Sequence, residues 1–464
     1  MTPAPPAAAP PVRRTLGPWM ATALVVGNMV GSGVFLLPAA LGAYGGISLI
    51  GWLLTSVGAA VCALTFARLA RLMPRAGGPY AYTRAAFGDF PAFLVAWGYW
   101  LSICAGNAAI AVAMVGYLAF FAPALAASPA LGAIAAVAAV WLLTLVNARS
   151  VREAGGVQLV TTLLKLVPLL AVGLLGIVVA EWGHFMPFNV SGRSPLGAVS
   201  ATAALTLWAF LGLESATIPA ESIERPELTI PRATLAGTAV AAVVYVVGTV
   251  GVMGVLPPAA LARSTAPFAE AARAMWGGWA AWAVAAGAAV SCFGALNGWI
   301  LLSGQLPLAA GRDGLLPGVF RRVSRRGTPV AGLVISSALV TVFVGANYTR
   351  GLVQEFTFVI LVATLATLVP YLFSSLALVK REWPQATGLR PQASDLGPQT
   401  TDLGGAPVRR YAGAIVPLLA FGYSLWAVVG TGLETILWGL ALFAVGVPVY
   451  LVVRGGTRRA RQAS

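Results

Sequence analysis

The feature that most constrains this chain is a succession of long stretches without a single charged residue, among them Met20 to Leu41, Ile47 to Ala67 and Ala412 to Val429. A helix of about 20 apolar residues matches the hydrocarbon thickness of a bilayer. Lipid offers no partners to open backbone groups, so such stretches must close their hydrogen bonds internally, as helices. Only 9% of the 464 residues are charged, against about 25% in an ordinary soluble domain. That is too little charge to cover a water-exposed surface of this size. The expected fold is all-α and polytopic, with twelve transmembrane helices near 18–43, 46–69, 90–122, 129–148, 157–180, 196–219, 233–256, 278–304, 329–346, 355–379, 412–430 and 433–453.

A net charge of +15 could suggest nucleic acid, but its distribution argues for a lipid bilayer instead. When the connections are assigned alternately to two sides, one side carries 24 of the 29 basic residues and the other carries Arg193, Arg263, Arg273 and Arg350. A single scattered basic surface does not predict this alternation. The positive-inside rule does, and it places both termini in the cytoplasm of a cell (inner) membrane protein with no nucleic-acid partner. Cys62, Cys104 and Cys292 lie inside apolar stretches, with neither disulfide nor zinc spacing. His184, in a loop after Trp182, reads as a solvated residue, so neither a metal nor a cofactor is implied.

Organisation follows from the same pattern. Residues 1–16 form a Pro/Ala-rich, disordered cytoplasmic N-terminus without a cleavable signal, and the first span serves as its own insertion signal. A ten-helix core over 17–380 is separated by a polar cytoplasmic loop, 381–411, from a two-helix appendage, 412–453, and a basic tail, 454–464. Spans 1 and 6 are both interrupted by glycine, at Gly27-Asn28-Met29-Val30-Gly31-Ser32-Gly33 and at Trp208-Ala209-Phe210-Leu211-Gly212-Leu213-Glu214-Ser215. They open two blocks of five. An odd number of helices per block makes the repeat inverted, and paired broken helices point to a midplane binding site in a transporter.

Unwinding at Gly31-Ser32-Gly33 would free backbone N–H groups for a carboxylate, beside the Ser32 hydroxyl and a half-helix N-terminus. Packing by small residues is the plainer reading of a lone triplet. Asn28, Pro38 and the matching break in span 6 favour binding. Glu214, the one carboxylate placed mid-span, must be protonated, paired or next to water, and can couple conformation to protonation. Lys165, the one basic residue well inside a span, can fill a site where some transporters hold sodium, unless it snorkels to an interface. Trp208, Trp299, Tyr99, Phe356 and Tyr371 are aromatics that can gate a cavity or hold a cation, although each alone is as readily packing. Asn107 can bond a polar substrate head or link helices. No Walker loop, metal-ligand cluster or nucleophile–histidine pair points to an enzyme or to ATP hydrolysis.

At these motifs the chain resembles the amino acid–polyamine–organocation superfamily, and within it the basic amino acid/polyamine antiporter group, from about Gly17 to about Arg454. The resemblance also rests on Gly77-Gly78-Pro79-Tyr80-Ala81-Tyr82, Asp313-Gly314-Leu315-Leu316-Pro317, Gly327-Thr328-Pro329-Val330-Ala331-Gly332 and Leu368-Val369-Pro370-Tyr371-Leu372. It implies two inverted five-helix repeats plus two helices, often paired as a homodimer. It implies substrate carboxylate contact at Ser32 and Gly33, and amino-group contact by carbonyls near Met29, Trp208 and Leu211. Trp208 would be a proximal gate, Trp299 would stack on a guanidinium, and Asn107 would bond it. Tyr99, Glu214 and Tyr371 would form a distal gate linked to protonation. The implied function is sodium-independent exchange of an arginine-like amino acid for its agmatine-like amine. Ile103, Ala295 and Ala363 replace small polar or sulfur-bearing groups near the substrate's distal head. These changes point to the alternative, a proton-coupled importer of neutral amino acids, and Lys165 resembles sodium-independent relatives handling neutral or varied amino acids.

Overall fold

The computed structural model describes residues 14–31, 33–264, 266–349, 353–386 and 407–462. These residues are helical apart from turns, loops and one isolated parallel bridge between Leu16 and Ile223. In chain order the helices are α1 (Pro18–Met29), α2 (Gly33–Gly42), α3 (Ser48–Leu72), α4 (Pro79–Phe87), α5 (Asp89–Leu118), α6 (Ala124–Ala127), α7 (Pro129–Arg149), α8 (Val151–Val178) and α9 (Pro195–Leu207). They continue as α10 (Pro226–Val255), α11 (Pro258–Leu261), α12 (Pro267–Trp276), α13 (Gly278–Arg312), α14 (Val330–Thr349), α15 (Val353–Ala386), α16 (Pro407–Gly430) and α17 (Leu433–Gln462).

Eleven stretches of the described residues are long and apolar enough to cross a membrane, and the span expected near 355–379 falls within α15. Leu53, Leu145 and Val167 are each more than half exposed on the outside of the bundle. In water such a surface would aggregate, whereas in lipid it is matched. This is a multi-pass membrane protein.

α13 packs along α5 and α8, α10 packs along α3 and α8, and α1 lies between α8, α10 and α13. Small residues set the closest approach: a Cβ at Gly251 of α10 would sit 2.3 Å from the Gly173 carbonyl oxygen of α8. Without a hydrophobic force between helices in lipid, such backbone contact is a main source of association.

The first span is two helices. α1 ends at Met29, its last carbonyls lose their helical donors, and α2 restarts at Gly33 with Pro38 inside it. The sixth span breaks as well. A 3-10 turn at Trp208–Phe210 follows α9, Leu211 is extended, and Gly212 takes φ +109°. That conformation favours glycine, and the space does too: a Cβ at Gly212 would meet Trp299 at 3.1 Å and Asn28 at 3.3 Å.

Beyond Gly212 the structure departs from the expected helix to residue 219. The chain runs as 3-10 turns, Ser215–Thr217 and Ala220–Ser222, until Pro226. Its backbone groups bond elsewhere: Thr217 Oγ1 donates to the Glu214 carbonyl at 2.7 Å, Gly77 N–H donates to the Ile218 carbonyl at 2.9 Å, and Pro219 has no N–H to give. Other spans overrun their expected ends. α8 starts at Val151 because Ser150 Oγ caps it, accepting from the Arg152 and Glu153 amides at 3.1 and 3.4 Å. α15 continues through Ala386 and α16 begins at Pro407.

The basic connections assigned to one side meet one another. Arg312 pairs with Glu221 at 2.6 Å, Arg84 with Asp313 at 2.7 Å, and Tyr80 Oη donates to Asp313 at 2.8 Å. Lys380 Nζ donates to the Ala86 carbonyl at 2.6 Å. The segment before α1 joins them, with Leu16 N–H donating to the Ser222 carbonyl at 2.9 Å and Glu224 N–H to the Leu16 carbonyl at 3.0 Å.

Candidate functional site

The two breaks face each other across one cavity of about 70 Å³. It is smaller than two apolar recesses of about 430 and 380 Å³, but it is framed by unwound backbone. Asn28, Met29, Gly31 and Gly33 line it from the first break, and Trp208, Ala209 and Leu211 line it from the second. Trp299 of α13 and Ile103 of α5 close two sides, and Ala363 and Thr367 of α15 a third. No charged side chain lines it among the described residues. What it offers a ligand is peptide dipoles, aromatic faces and a few hydroxyls and amides.

Asn28 is buried, and its Nδ2 donates to Ser215 Oγ at 2.9 Å, tying the two breaks together. Its Oδ1 has no partner among the described residues. The absence of a side chain at Gly298 makes room for that oxygen, since a Cβ there would lie 1.9 Å away. Trp299 Nε1 donates to the Asn28 carbonyl at 3.2 Å, which fixes the indole at the end of α1. Trp208 is half-buried and stands over the start of α2: a Cβ at Gly33 would be 3.3 Å from its ring.

Lys165 is fully buried in α8, and its ammonium donates to the Gly27 carbonyl at 2.8 Å and the Val30 carbonyl at 2.6 Å. A half-helix C-terminus presents partial negative charge, so a cation is a fitting partner for these carbonyls. Ser291 Oγ adds a bond to the Val30 carbonyl at 3.1 Å. Lys165 ends a polar stripe on α8. Gln158 Nε2 and Thr162 Oγ1 both donate to the Ala23 carbonyl of α1, at 3.4 and 3.2 Å. Positions 158, 162 and 165 share one helical face, so a single face of α8 holds the second half of α1 and the start of the break. The lysine therefore does not snorkel.

Glu214 is fully buried beyond the second break. Tyr99 Oη of α5 donates to one carboxylate oxygen and Tyr371 Oη of α15 to the other. Gly212 N–H adds a third donor at 3.2 Å. An ionised carboxylate has room for all three bonds, whereas a protonated one must turn an oxygen into a donor. The cluster joins α5, α15 and the sixth span one turn of α5 from Ile103, on the Asp89 side of the cavity.

Of the residues anticipated for binding, Asn28, Met29, Gly31, Gly33, Ile103, Trp208, Leu211, Trp299 and Ala363 come together on the cavity wall. Asn107 does not line it. That side chain is fully buried beside it, with neither Nδ2 nor Oδ1 partnered among the described residues. Ser32 and the side chain of Phe356 lie outside the described residues. Ala295 packs behind Gly31. Sequence reasoning missed Val34, Ser102, Gly106, Ile110, Ala209 and Thr367. The signal available was helical spacing: 103, 106 and 110 share a face of α5, and 363 and 367 a face of α15. The 158/162/165 stripe could have been read the same way.

The family model described as amino acid permease matches residues 16–450. A protein of Bacillus subtilis (strain 168), provisionally named an arginine/ornithine antiporter, is 34% identical over 96% of this chain and 98% of its own length. The cadaverine/lysine antiporter of Escherichia coli (strain K12) is 34% identical over 80% of this chain and 84% of its own. Putrescine transporter PotE of the same strain is 30% identical over 93% and 94%.

Proposed function

The chain belongs to the amino acid permease family, in the basic amino acid/polyamine antiporter group of its superfamily, and from that premise we propose that it exchanges a cationic, arginine-like amino acid for its decarboxylated, agmatine-like amine without sodium. The observation that carries this reading is the Lys165 ammonium on the Gly27 and Val30 carbonyls. It supplies a fixed positive charge at the end of a broken helix, where a mobile cation would otherwise be favoured. Among the described residues the cavity has no basic side chain, and it is walled by Trp208 and Trp299, which suits a positively charged guest. The relatives named for arginine/ornithine, cadaverine/lysine and putrescine transport support the same substrate class.

In this reading the amides at Gly31 and Gly33, with Ser32, hold the substrate carboxylate. Carbonyls near Met29, Trp208 and Leu211 hold the amino group, Trp299 holds the distal cation, and the buried amide of Asn107, unpartnered among the described residues, turns in to bond it. Trp208 is the proximal gate. Tyr99, Glu214 and Tyr371 close the pathway on the cytoplasmic side, and Phe356, at the Arg350 end of its span, serves as a gating aromatic toward the other side. A protonated Glu214 must donate to one of the two phenol oxygens, reversing that bond, so protonation rearranges the closure. Residues 17–380 act as two inverted five-helix blocks that rock around the midplane, with 412–453 as an appendage and both termini cytoplasmic. Each turnover would export one positive charge.

A second reading, proton-coupled import of neutral amino acids, has one observation in its favour: Ile103 and Ala363 present apolar surface to the cavity. Uptake of labelled arginine into proteoliposomes loaded with agmatine, or left empty, separates the two. Exchange predicts strong stimulation by internal agmatine, and equal rates would count against it.

A further inference from the structure

A chain of buried amides reaches the end of α1 from behind the cavity. Asn147 Nδ2 of α7 donates to Asn297 Oδ1 of α13 at 3.0 Å. Asn297 Nδ2 donates to α8 twice, to the Ala154 carbonyl at 2.9 Å and to Gln158 Oε1 at 3.1 Å. Gln158 Nε2 then reaches the Ala23 carbonyl of α1 at 3.4 Å. Asn147, Gln158 and Asn297 are all buried, and none belongs to the cavity wall. Stability alone does not account for the chain. Asn147 Oδ1 is buried without a partner among the described residues, and leaving such a group unpaired is unfavourable.

What the amides fix is the rotation of α13. This helix meets α8 along a seam of glycines. A Cβ at Gly287 would lie 2.5 Å from Pro168, one at Gly294 would lie 2.4 Å from Thr161 Oγ1, and one at Gly298 would lie 2.9 Å from Gln158 Oε1. Small residues let two backbones approach closely, which sets distance more firmly than rotation. Thr161 adds no pin, since its hydroxyl bonds back to the Val157 and Gln158 carbonyls of its own helix at 2.8 and 3.2 Å. Among the described side chains of α13, Asn297 is the one hydrogen-bonded to α7 and α8. Two positions on, about 200° around the helix, Trp299 lines the cavity and donates to the Asn28 carbonyl at 3.2 Å. Between them, Gly298 leaves room for Asn28 Oδ1. One turn of α13 thus carries an anchor on one face and the aromatic wall of the site on the other.

We propose that Asn297 is a positioning residue for substrate selection: bonded to α7 and α8, it sets the rotation of α13 and so holds the Trp299 indole where it meets the substrate's distal cation. The proposal rests on the exchange reading above, with arginine as the ligand. Exchange of labelled arginine by the full chain in proteoliposomes, competed by unlabelled arginine or norleucine, measures the preference for the charged ligand. Asn297→Leu should lower that preference roughly three- to tenfold. In a Trp299→Leu background the same substitution should lower it no further, because the ring that Asn297 positions is gone. A residue that only stabilises the fold would weaken both competitors alike, or act equally in both backgrounds, and either result overturns the proposal. Asn147→Leu combined with Asn297→Leu removes both partners of one bond, which costs less than stranding one. This double variant should melt closer to wild type than Asn297→Leu and show the same loss of preference; a preference that returns with the melting temperature also overturns the proposal. A wild-type chain that fails to exchange arginine sinks the transport reading. A wild-type exchanger whose variants keep their preference for arginine sinks the role of Asn297 alone.

Discussion

Replacing Trp299 by leucine should weaken a cationic substrate far more than a neutral one of similar length. The indole lines the cavity and donates to the Asn28 carbonyl at 3.2 Å. Leucine removes two things. The aromatic face is worth about 1–2 kcal/mol to a desolvated cation. The N–H bond at the end of α1 is worth about 0.5–1.5 kcal/mol and shapes the site for any substrate. Together these give about 1.5–3.5 kcal/mol, or roughly 10- to 300-fold in affinity for arginine. Trp299→Phe keeps a ring and loses only the N–H, so it should cost roughly two- to tenfold. Norleucine has no distal charge and should feel only the N–H part in either variant. Calorimetric titration of the purified wild type and both variants with arginine and norleucine supplies the comparison. Equal losses for the two ligands in Trp299→Leu would refute the idea that this ring reads a positive charge.

Glu214→Gln should flatten the dependence of exchange on pH across the acidic-to-neutral range, because an amide cannot gain or lose the proton. A profile unchanged from wild type would remove Glu214 from the coupling. Lys165→Met strips the donors from the Gly27 and Val30 carbonyls, but it also ends the burial of an ammonium, which is itself unfavourable. Exchange should therefore fall at least about tenfold while the melting temperature shifts only modestly, and normal exchange would contradict the role given to this residue. Gly78→Ala places a Cβ 2.1 Å from Thr217 Oγ1 at a backbone with φ +48°. It should destabilise by about 1–3 kcal/mol, seen as a lower melting temperature that Thr217→Ala only partly restores. The Arg312–Glu221 pair is 29% and 46% exposed, so its loss should cost under about 1 kcal/mol. Glu221→Arg should nonetheless slow exchange, and adding Arg312→Glu should recover most of it.

Legibility in the sequence divides along a physical line. Spans and breaks are local properties: charge-free length marks the helices, and Gly31, Gly33 and Gly212 mark where α1 gives way to α2 and where the sixth span unwinds. What lies beyond Gly212 was not legible, because the 3-10 path there depends on Gly77 reaching Ile218 and on the small residue at Gly78, contacts distant in sequence. The cavity wall was half legible. Ile103 and Ala363 were anticipated, but their neighbours one turn away, Gly106, Ile110 and Thr367, carry no chemistry that announces them. Asn107, chosen for its chemistry, is buried with its amide unpartnered among the described residues and is not on the cavity wall. The convergence of Tyr99 and Tyr371 on Glu214 came from resemblance and not from spacing, since nothing local relates α5 to α15. Lys165 was visible as an anomaly in an apolar helix. Its partners were not, because they are backbone carbonyls exposed only by the break in a different span.

The most direct measurement is an experimental structure with arginine bound. The account predicts its α-carboxylate on the amides between Gly31 and Gly33, its amino group among the carbonyls of Met29, Trp208 and Leu211, and its guanidinium against Trp299. Ligand density elsewhere in the bundle, with continuous helices replacing the two breaks, would contradict it.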